Sequence, residues 1–236
     1  MVYITSIGPG GSSDYLSVKA YQILQNIEVA IYAGTMIGDA IKKIIPGKLY
    51  VQNDFTNESL RDLIKEAHQK GQSIAWMEPG DVSFYSGEPG IFDSLTGNIQ
   101  WLREENIPFE LIPGISSWTV ICNQLGIENV LDGVTQTIVV NAPIKSPKAN
   151  LKELASLGAS LVFFMGINTI EAIIKNVSIY YPPQTTIIIA DRISWEDQKI
   201  IKSTLENIIE VLKTEHVSRQ SLILIGKVYE TANINE

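Results

Sequence analysis

The chain has 236 residues, of which 45% are apolar and 19% are charged, and its formal net charge is −8. This composition is typical of a globular protein with a real core, and the length allows one large or two small domains. An acidic chain without a Lys/Arg cluster does not match a nucleic-acid-binding protein, which normally shows a basic face. No apolar run approaches the roughly 20 residues that a membrane-spanning helix needs.

Cysteine and histidine content excludes further classes. Cys122 is the only cysteine, which rules out an internal disulfide framework and a cysteine-based metal site. The two histidines, His68 and His216, are far apart in the sequence, so we expect no metal site. The first residues, MVYITSIGPGG, lack the basic start and long apolar core of a signal peptide. We therefore expect a cytoplasmic protein without nucleic-acid or membrane partners.

Strands and helices alternate through the first half of the chain. Apolar runs predict strands at residues 2–7, 29–33, 49–51, 73–77 and 109–112. Helical patterns lie between and after them, at residues 16–26, 34–44, 58–69, 91–105 and 118–125. The run at 73–77 does not alternate, which indicates a strand buried on both faces, and the whole order predicts a parallel sheet.

Three of these strands end in glycine-containing turns, at residues 8–11, 79–81 and 113–117. Open α/β sheets bind ligands beyond the carboxyl ends of their strands, so these turns are candidate binding elements. Gly80 lets a ligand approach the backbone because it has no Cβ, and Asp81 adds a carboxylate. The alternative interpretation is that Asp81 is only an Asx-type turn former. The first turn matches neither the G-x-G-x-x-G fingerprint nor a P-loop.

The second half also mixes strands and helices, but in a less regular order. Strands are predicted at residues 135–140, 160–165, 185–190, 199–203 and 221–227, with 199–203 as an edge strand. Helices are predicted at residues 151–157, 168–176 and 204–213, and a polar, frayed tail at 229–236. We expect two α/β domains, residues 1–114 and 115–236.

At this point the motifs resemble those of the tetrapyrrole methylases, the class III, two-domain type of S-adenosylmethionine-dependent methyltransferase. The resemblance covers nearly the whole chain. Its motifs are Ile7-Gly8-Pro9-Gly10, Tyr32-Ala33-Gly34-Thr35, Gly80-Asp81-Val82-Ser83-Phe84-Tyr85, Ile112-Pro113-Gly114-Ile115-Ser116-Ser117 and Leu161-Val162-Phe163-Phe164-Met165-Gly166. Within the family, residues 32–34, 134–137 and 192–200 are similar to precorrin-4 C11-methyltransferases of the corrin pathway.

The resemblance implies that S-adenosylmethionine binds in a cleft between two α/β domains, leaves as S-adenosylhomocysteine, and that the protein is a homodimer. Carried over motif by motif, the cofactor-binding residues are Pro9, Gly80, Asp81, Phe84, Ser116, Ser117, Met165 and Ile193. A backbone that approaches closely at glycine turns suits a sulfonium cofactor, which needs few specific charges. Met165 could instead be an ordinary core residue of its strand.

The implied acceptor is a small tetrapyrrole, precorrin-4 or cobalt-precorrin-4, methylated at C11. Candidate acceptor-binding residues are Tyr85, Lys145, Lys148 and Arg192. The three cations could meet the peripheral carboxylates of such a molecule. They could also be solvated surface charges, and Tyr85 could simply pack in the core.

This chain also departs from the family pattern. It has Gly80-Asp81-Val82 where Gly-Asp-Pro is usual, and an insertion falls within residues 86–97. Residues 141–143 are Asn-Ala-Pro in place of a basic Thr-Arg pair. The motifs therefore predict the cofactor site more firmly than the acceptor.

Methyl transfer from a sulfonium needs alignment and exclusion of water rather than a side-chain nucleophile, so we expect no catalytic residue. Alignment of this kind can supply roughly 7–11 kcal/mol. Two other functions stay open from the sequence: a methyltransferase with a different acceptor, and a non-catalytic protein that binds the cofactor or a tetrapyrrole.

Overall fold

The structure is a computed structural model that describes residues 1–86, 93–143 and 150–233. By their contacts, the residues form two compact units. The first unit is Met1–Ser117 with Ser194–Glu196, and the second is Trp118–Ile193 with Asp197–Glu236. The domain boundary expected after residue 114 stays a prediction.

The first unit contains a parallel sheet of five strands, as the sequence predicted. The strands are β1 (Val2–Ser6), β2 (Val29–Tyr32), β3 (Lys48–Val51), β4 (Ile74–Glu78) and β5 (Phe109–Ile112), in the spatial order β3-β2-β4-β1-β5. The helices are α1 (Val18–Leu24), α2 (Asp39–Lys42), α3 (Asn57–Gln69) and α4 (Leu95–Glu104), with 3₁₀ turns at Ser13–Tyr15, Gly34–Met36 and Gln52–Asp54. Strand β1 lies between β4 and β5 and pairs with both of them.

Strand β4 is buried on both faces, which confirms the prediction from its unbroken apolar run. Ile74 and Trp76 pack in a cluster with residues of α3 and α4. Ala75 and Met77 pack on the opposite face with Leu24 of α1 and Ile41 of α2. Helices therefore cover the sheet on both sides, as parallel sheets require.

The second unit contains a mixed sheet. Its strands are β6 (Ile138–Asn141), β7 (Ser160–Phe164), β8 (Thr186–Asp191), β9 (Lys199–Thr204) and β10 (Leu222–Ile225), in the order β6-β7-β10-β8-β9. The helices are α5 (Ser117–Gln124), α6 (Leu151–Ala155), α7 (Ile170–Val177) and α8 (Ile208–Val211), with 3₁₀ turns at Ile167–Thr169 and Lys227–Thr231. Among the strand pairs of the described residues, β6–β7 is parallel and the other three are antiparallel, and β9 lies at an edge as predicted.

The helix predicted at residues 204–213 is much shorter in the structure. Strand β9 continues to Thr204, and α8 begins only at Ile208. The intervening backbone is held elsewhere, because the N–H of Leu205 donates to Thr185 O at 3.1 Å and that of Glu206 to Pro183 O at 3.1 Å. These hydrogen bonds extend the contact with β8 and postpone the helix.

The prediction of a frayed tail from residue 229 is wrong for the residues that the structure describes. Tyr229 is 0% exposed, and its hydroxyl donates to Asn129 Oδ1 at 2.9 Å. The same oxygen accepts Trp118 Nε1–H at 2.7 Å. One buried aromatic side chain therefore anchors a segment whose composition is mostly polar.

Candidate functional site

The three glycine-containing turns lie at one edge of the first sheet. They follow the carboxyl ends of β4, β1 and β5, which are neighbours in the parallel sheet. Since parallel strands all end at the same edge, the sheet brings turns together that are up to about a hundred residues apart in the chain. This edge holds six of the eight residues predicted to bind the cofactor: Pro9, Gly80, Asp81, Phe84, Ser116 and Ser117.

The first two turns are joined directly through their backbones. Gly8 N–H donates to Gly80 O at 3.2 Å, and Gly80 N–H donates to Gly8 O at 2.6 Å. Both residues have left-handed φ values, +65° for Gly8 and +73° for Gly80, where an L side chain is strained. A Cβ built on Gly80 would meet no atom of the described residues within 4 Å. The described residues therefore leave space beside the Gly80 backbone, which fits a ligand that approaches closely there.

The Asp81 carboxylate shapes the turn that follows Gly80. Its Oδ1 accepts Ser83 N–H at 2.9 Å and Ser83 Oγ–H at 2.7 Å, and its backbone carbonyl accepts Phe84 N–H at 3.1 Å. The Asx-turn role considered from the sequence is thus present in the structure. Cofactor binding by Asp81 remains a prediction beside it.

Ser6, which the sequence reasoning missed, supports the same turn. It is the last residue of β1 and fully buried, and its Oγ accepts Val82 N–H at 3.0 Å. A Cβ on Gly114 would lie 2.5 Å from the Ser6 Cβ and 2.7 Å from Gly80 O, so residue 114 must be glycine for the third turn to pack against the other two. A serine at the end of a strand belongs to no motif, so the sequence offered no signal for it.

Gly10 and Gly11, the two glycines that follow Pro9, are each held by a hydrogen bond to another part of the chain. Gly10 O accepts Gly38 N–H at 2.7 Å, and Gly11 N–H donates to Ser194 Oγ at 3.1 Å. Ser194 belongs to the first unit and has a left-handed φ of +73°. The segment 194–196 thus packs on the first turn, a contact across 183 positions of the chain that no local pattern predicts.

The aromatic and hydroxyl candidates of this unit differ in exposure. Phe84 is 43% exposed, whereas Tyr85 is half-buried and its burial raises the pKa of its phenol. Ser116 is 6% exposed and directly precedes α5, of which Ser117 is the first residue. The exposed phenyl ring of Phe84, in the turn that follows Gly80, provides an apolar surface for a ligand.

In the second unit, Met165 follows β7 in a conformation that is unusual for its side chain. Its φ is +54°, in the left-handed region, and its N–H donates to Ser221 O at 3.3 Å. A bulky residue with positive φ is an outlier that costs free energy and often marks a functional position. This geometry favours a binding role for Met165 over that of an ordinary strand residue.

The segment after β8 holds Ile193 and Arg192. Ile193 is buried, and Arg192 has a φ of +51°. Arg192 Nε–H donates to Asp197 Oδ1 at 2.7 Å, and this hydrogen bond lowers the pKa of the Asp197 carboxyl. Arg192 is therefore held by a partner of its own loop, and its role toward a substrate stays a prediction. Lys145 and Lys148 lie outside the described residues.

Two buried polar atoms of the second unit lie at the end of its sheet where β6 and β7 finish and β10 begins. Asn141, at the end of β6, is 8% exposed, and its Oδ1 has no hydrogen-bond partner among the residues that the structure describes. The same holds for Ser221 Oγ, just before β10. Asn141 is one of the positions at which this chain departs from the family pattern.

The described residues also bear on metal sites, membrane-spanning helices and other pockets. Within residues 1–86, 93–143 and 150–233, no cluster of His, Cys, Asp or Glu could hold a metal ion, and no helix could cross a membrane. A shallow surface pocket of the first unit is lined by Tyr3, Lys19, Ser73 and Glu110 among others. It lies near the amino ends of β1, β4 and β5 and contains none of the predicted site residues.

Curated relatives match along nearly their whole length. The cobalt-precorrin-4 C(11)-methyltransferase of Methanocaldococcus jannaschii is 26% identical over 234 residues, which are 96% of this chain and 87% of that protein. The precorrin-4 C(11)-methyltransferase of Pseudomonas aeruginosa is 28% identical over 232 residues, covering 96% and 90%.

Solved structures share the fold. A cobalamin biosynthetic enzyme, cobalt precorrin-4 methyltransferase, matches with a TM-score of 0.88 at 21% identity, covering 97% of this chain and 95% of that one. The uroporphyrin-III C-methyl transferase from Thermus thermophilus, complexed with S-adenosylhomocysteine, matches with a TM-score of 0.77 at 20% identity, covering 97% and 93%. The class III methyltransferase fold predicted from the motifs is confirmed.

The family model of the Tetrapyrrole (Corrin/Porphyrin) Methylases matches residues 1–209, which is most of the chain. The family expected from the glycine turns and the strand-end motifs is therefore confirmed. This chain belongs to the tetrapyrrole (corrin/porphyrin) methylases.

Proposed function

We propose that this protein is an S-adenosylmethionine-dependent methyltransferase that methylates precorrin-4 or cobalt-precorrin-4 at C11. The names of the two relatives support the acceptor, and the solved complex of a family member with S-adenosylhomocysteine supports the cofactor. The observation that carries the proposal is the arrangement at the carboxyl ends of β4, β1 and β5 in the first sheet. Three turns meet there, and the described residues leave the Gly80 backbone open to a ligand.

The cofactor-binding set is the one expected from the motifs: Pro9, Gly80, Asp81, Phe84, Ser116, Ser117, Met165 and Ile193. The described residues fit a sulfonium cofactor because they offer accessible backbone, one carboxylate and apolar surface. When bound, S-adenosylmethionine supplies an activated methyl group: the acceptor carbon's electron pair forms the new bond while the carbon–sulfur pair stays on sulfur. The protein's task is then to position the two molecules and to exclude water.

Acceptor binding falls to Tyr85, Arg192, Lys145 and Lys148 in this proposal. A positive group near the acceptor is needed because the chain's net charge of −8 opposes an anionic tetrapyrrole. We further propose that the protein acts in the cytoplasm as a homodimer, in line with the resemblance.

A different tetrapyrrole acceptor is the second candidate, and Asn141 favours it. Its buried amide oxygen stands where a basic pair is expected and lacks a partner among the described residues. A donor group on an acceptor could supply that hydrogen bond.

Turnover tests the proposal directly. The purified protein is incubated with methyl-labelled S-adenosylmethionine and, separately, with precorrin-4, cobalt-precorrin-4 and uroporphyrinogen III. Formation of S-adenosylhomocysteine with a precorrin-4 species, and a new methyl group at C11 by NMR, is the expected result. Turnover only with uroporphyrinogen III would move the assignment to the second candidate, and cofactor binding without turnover would indicate a non-catalytic protein.

A further inference from the structure

The turn that carries Asp81 has a backbone N–H that the turn itself does not use. Phe84 N–H donates to Asp81 O at 3.1 Å, which makes residues 81–84 a hydrogen-bonded β-turn with Val82 at its second position. Neither Val82 nor Ser83 has a positive φ, as in a type I turn. The N–H at the second position of such a turn is free, which is why proline is favoured there.

In this protein that N–H is buried and is accepted by a side chain of another element. Val82 is 5% exposed, and its N–H donates to the Oγ of Ser6 at 3.0 Å. Ser6 is the last residue of β1, an interior strand of the first sheet, and has no exposure to solvent. A buried N–H without an acceptor is costly, so this hydrogen bond fixes the distance between the strand and the turn.

We propose that Ser6 is a positioning residue of the cofactor site: its hydroxyl holds Val82, and through Val82 it sets the orientation of Gly80 and Asp81. The inference rests on the proposed function, since it assigns Ser6 a role at that site. Gly114 limits the positions that Ser6 can take. Because Gly114 has no Cβ, the third turn lies in close contact with Ser6 and with the Gly80 carbonyl. Ser6 thus contacts the residue that follows the second turn and also the third turn.

The geometry predicts that two substitutions, each harmful alone, compensate each other when they are combined. Ser6→Ala removes the acceptor and leaves the Val82 N–H buried without a partner. Val82→Pro supplies the φ that the turn favours, but its ring occupies the place of the N–H, which points at an oxygen only 3.0 Å from the nitrogen. In the double variant Ser6→Ala/Val82→Pro, both the orphaned N–H and the steric conflict are absent.

The test measures the dissociation constant of S-adenosylhomocysteine by calorimetry and the urea midpoint for four variants. We expect Ser6→Ala and Val82→Pro each to weaken binding by about tenfold, and the double variant to recover to within about threefold of the wild type. Ser160→Ala is the matched control. Ser160 is also a fully buried strand serine, and its Oγ–H donates to Asn129 O at 2.6 Å in the second unit. It should lower the urea midpoint and leave the dissociation constant unchanged.

Three outcomes would overturn the inference. Wild-type affinity in Ser6→Ala would show that the hydroxyl does not position the turn. A folded double variant that binds no better than either single variant would do the same, even if Ser6→Ala alone failed to fold. Absence of binding by the wild type would overturn the proposed function together with this inference. The first two outcomes overturn the inference alone, because in them the wild type still binds.

Discussion

Gly8 and Gly80 exchange two backbone hydrogen bonds, with N···O distances of 3.2 and 2.6 Å, just beyond the ends of strands β1 and β4. The strands themselves are parallel, so the chain must reverse locally to form this antiparallel bridge. Left-handed φ values at both glycines allow that reversal. The two turns are consequently fixed to each other by backbone hydrogen bonds, and no described residue fills the space beside Gly80.

Gly80→Ala should weaken binding of S-adenosylhomocysteine by at least about tenfold. The left-handed backbone strains any side chain there by roughly 1–2 kcal/mol, and the new methyl group would occupy the space through which the ligand approaches. Calorimetry measures the affinity, and urea unfolding measures the stability.

Gly71→Ala is the matched control for that substitution. Gly71 also has a φ of +73°, and a Cβ added to it would also meet no described atom within 4 Å, but it follows α3, away from the turns. Both variants should lose similar stability, and only Gly80→Ala should lose affinity. Equal affinity in the two variants would place the ligand elsewhere.

Asp81 can be separated into a turn former and a ligand contact by two substitutions. Asn keeps the oxygen that accepts both hydrogen bonds from Ser83 and removes the charge, whereas Ala removes both. We expect Asp81→Asn to weaken cofactor binding about three- to tenfold at unchanged stability, and Asp81→Ala to lower affinity and stability together. If Asp81→Asn binds like the wild type, Asp81 acts only through the turn.

The ion pair of Arg192 with Asp197 predicts a pH effect in the acid range. The hydrogen bond from Arg192 lowers the pKa of Asp197, so the folded state keeps this carboxylate ionised where the unfolded chain is already protonated. Its contribution to stability is present above the ordinary pKa of about 4 and is lost as the pH falls through the lower, folded-state value. Carboxyl NMR titration should show the Asp197 pKa returning toward its ordinary value in Arg192→Met. An unchanged Asp197 pKa in that variant would contradict the pairing.

Tyr229→Phe should reduce the free energy of unfolding by about 1–2 kcal/mol, because it removes the buried hydrogen bond to Asn129 that anchors the end of the chain. Tyr180→Phe is its control, since Tyr180 is 48% exposed. Urea unfolding should distinguish the two. Equal stability of both variants would mean that the hydroxyl of Tyr229 contributes nothing.

Much of the fold was predictable because buried parallel strands leave a strong signal. The strand predicted at residues 109–112 is observed as Phe109–Ile112, and the apolar run at 73–77 is β4, shifted by one residue. The meeting of the three turns followed as well, because parallel strands share a carboxyl edge. The antiparallel pairing of β10 with β7 and β8 was not predictable, because strand order leaves no local pattern.

The supporting contacts of the site were also beyond sequence reasoning. Ser6 meets Val82 across 76 positions, and Ser194 meets Gly11 across 183. Neither serine lies in a glycine motif, and each of these hydrogen bonds is created only by the folded chain. The left-handed backbone of Met165 is likewise set by its surroundings, since methionine itself disfavours it.

Backbone amide mapping by NMR determines whether the cofactor product binds at the three glycine-containing turns. S-adenosylhomocysteine is added to the isotope-labelled protein, and the amides whose signals shift are assigned. We expect the largest shifts at Gly8, Gly10, Gly80, Asp81 and Ser116, at the carboxyl edge of the first sheet. Shifts confined to Lys19, Ser73 and Glu110, at the opposite edge, would contradict binding at the turns.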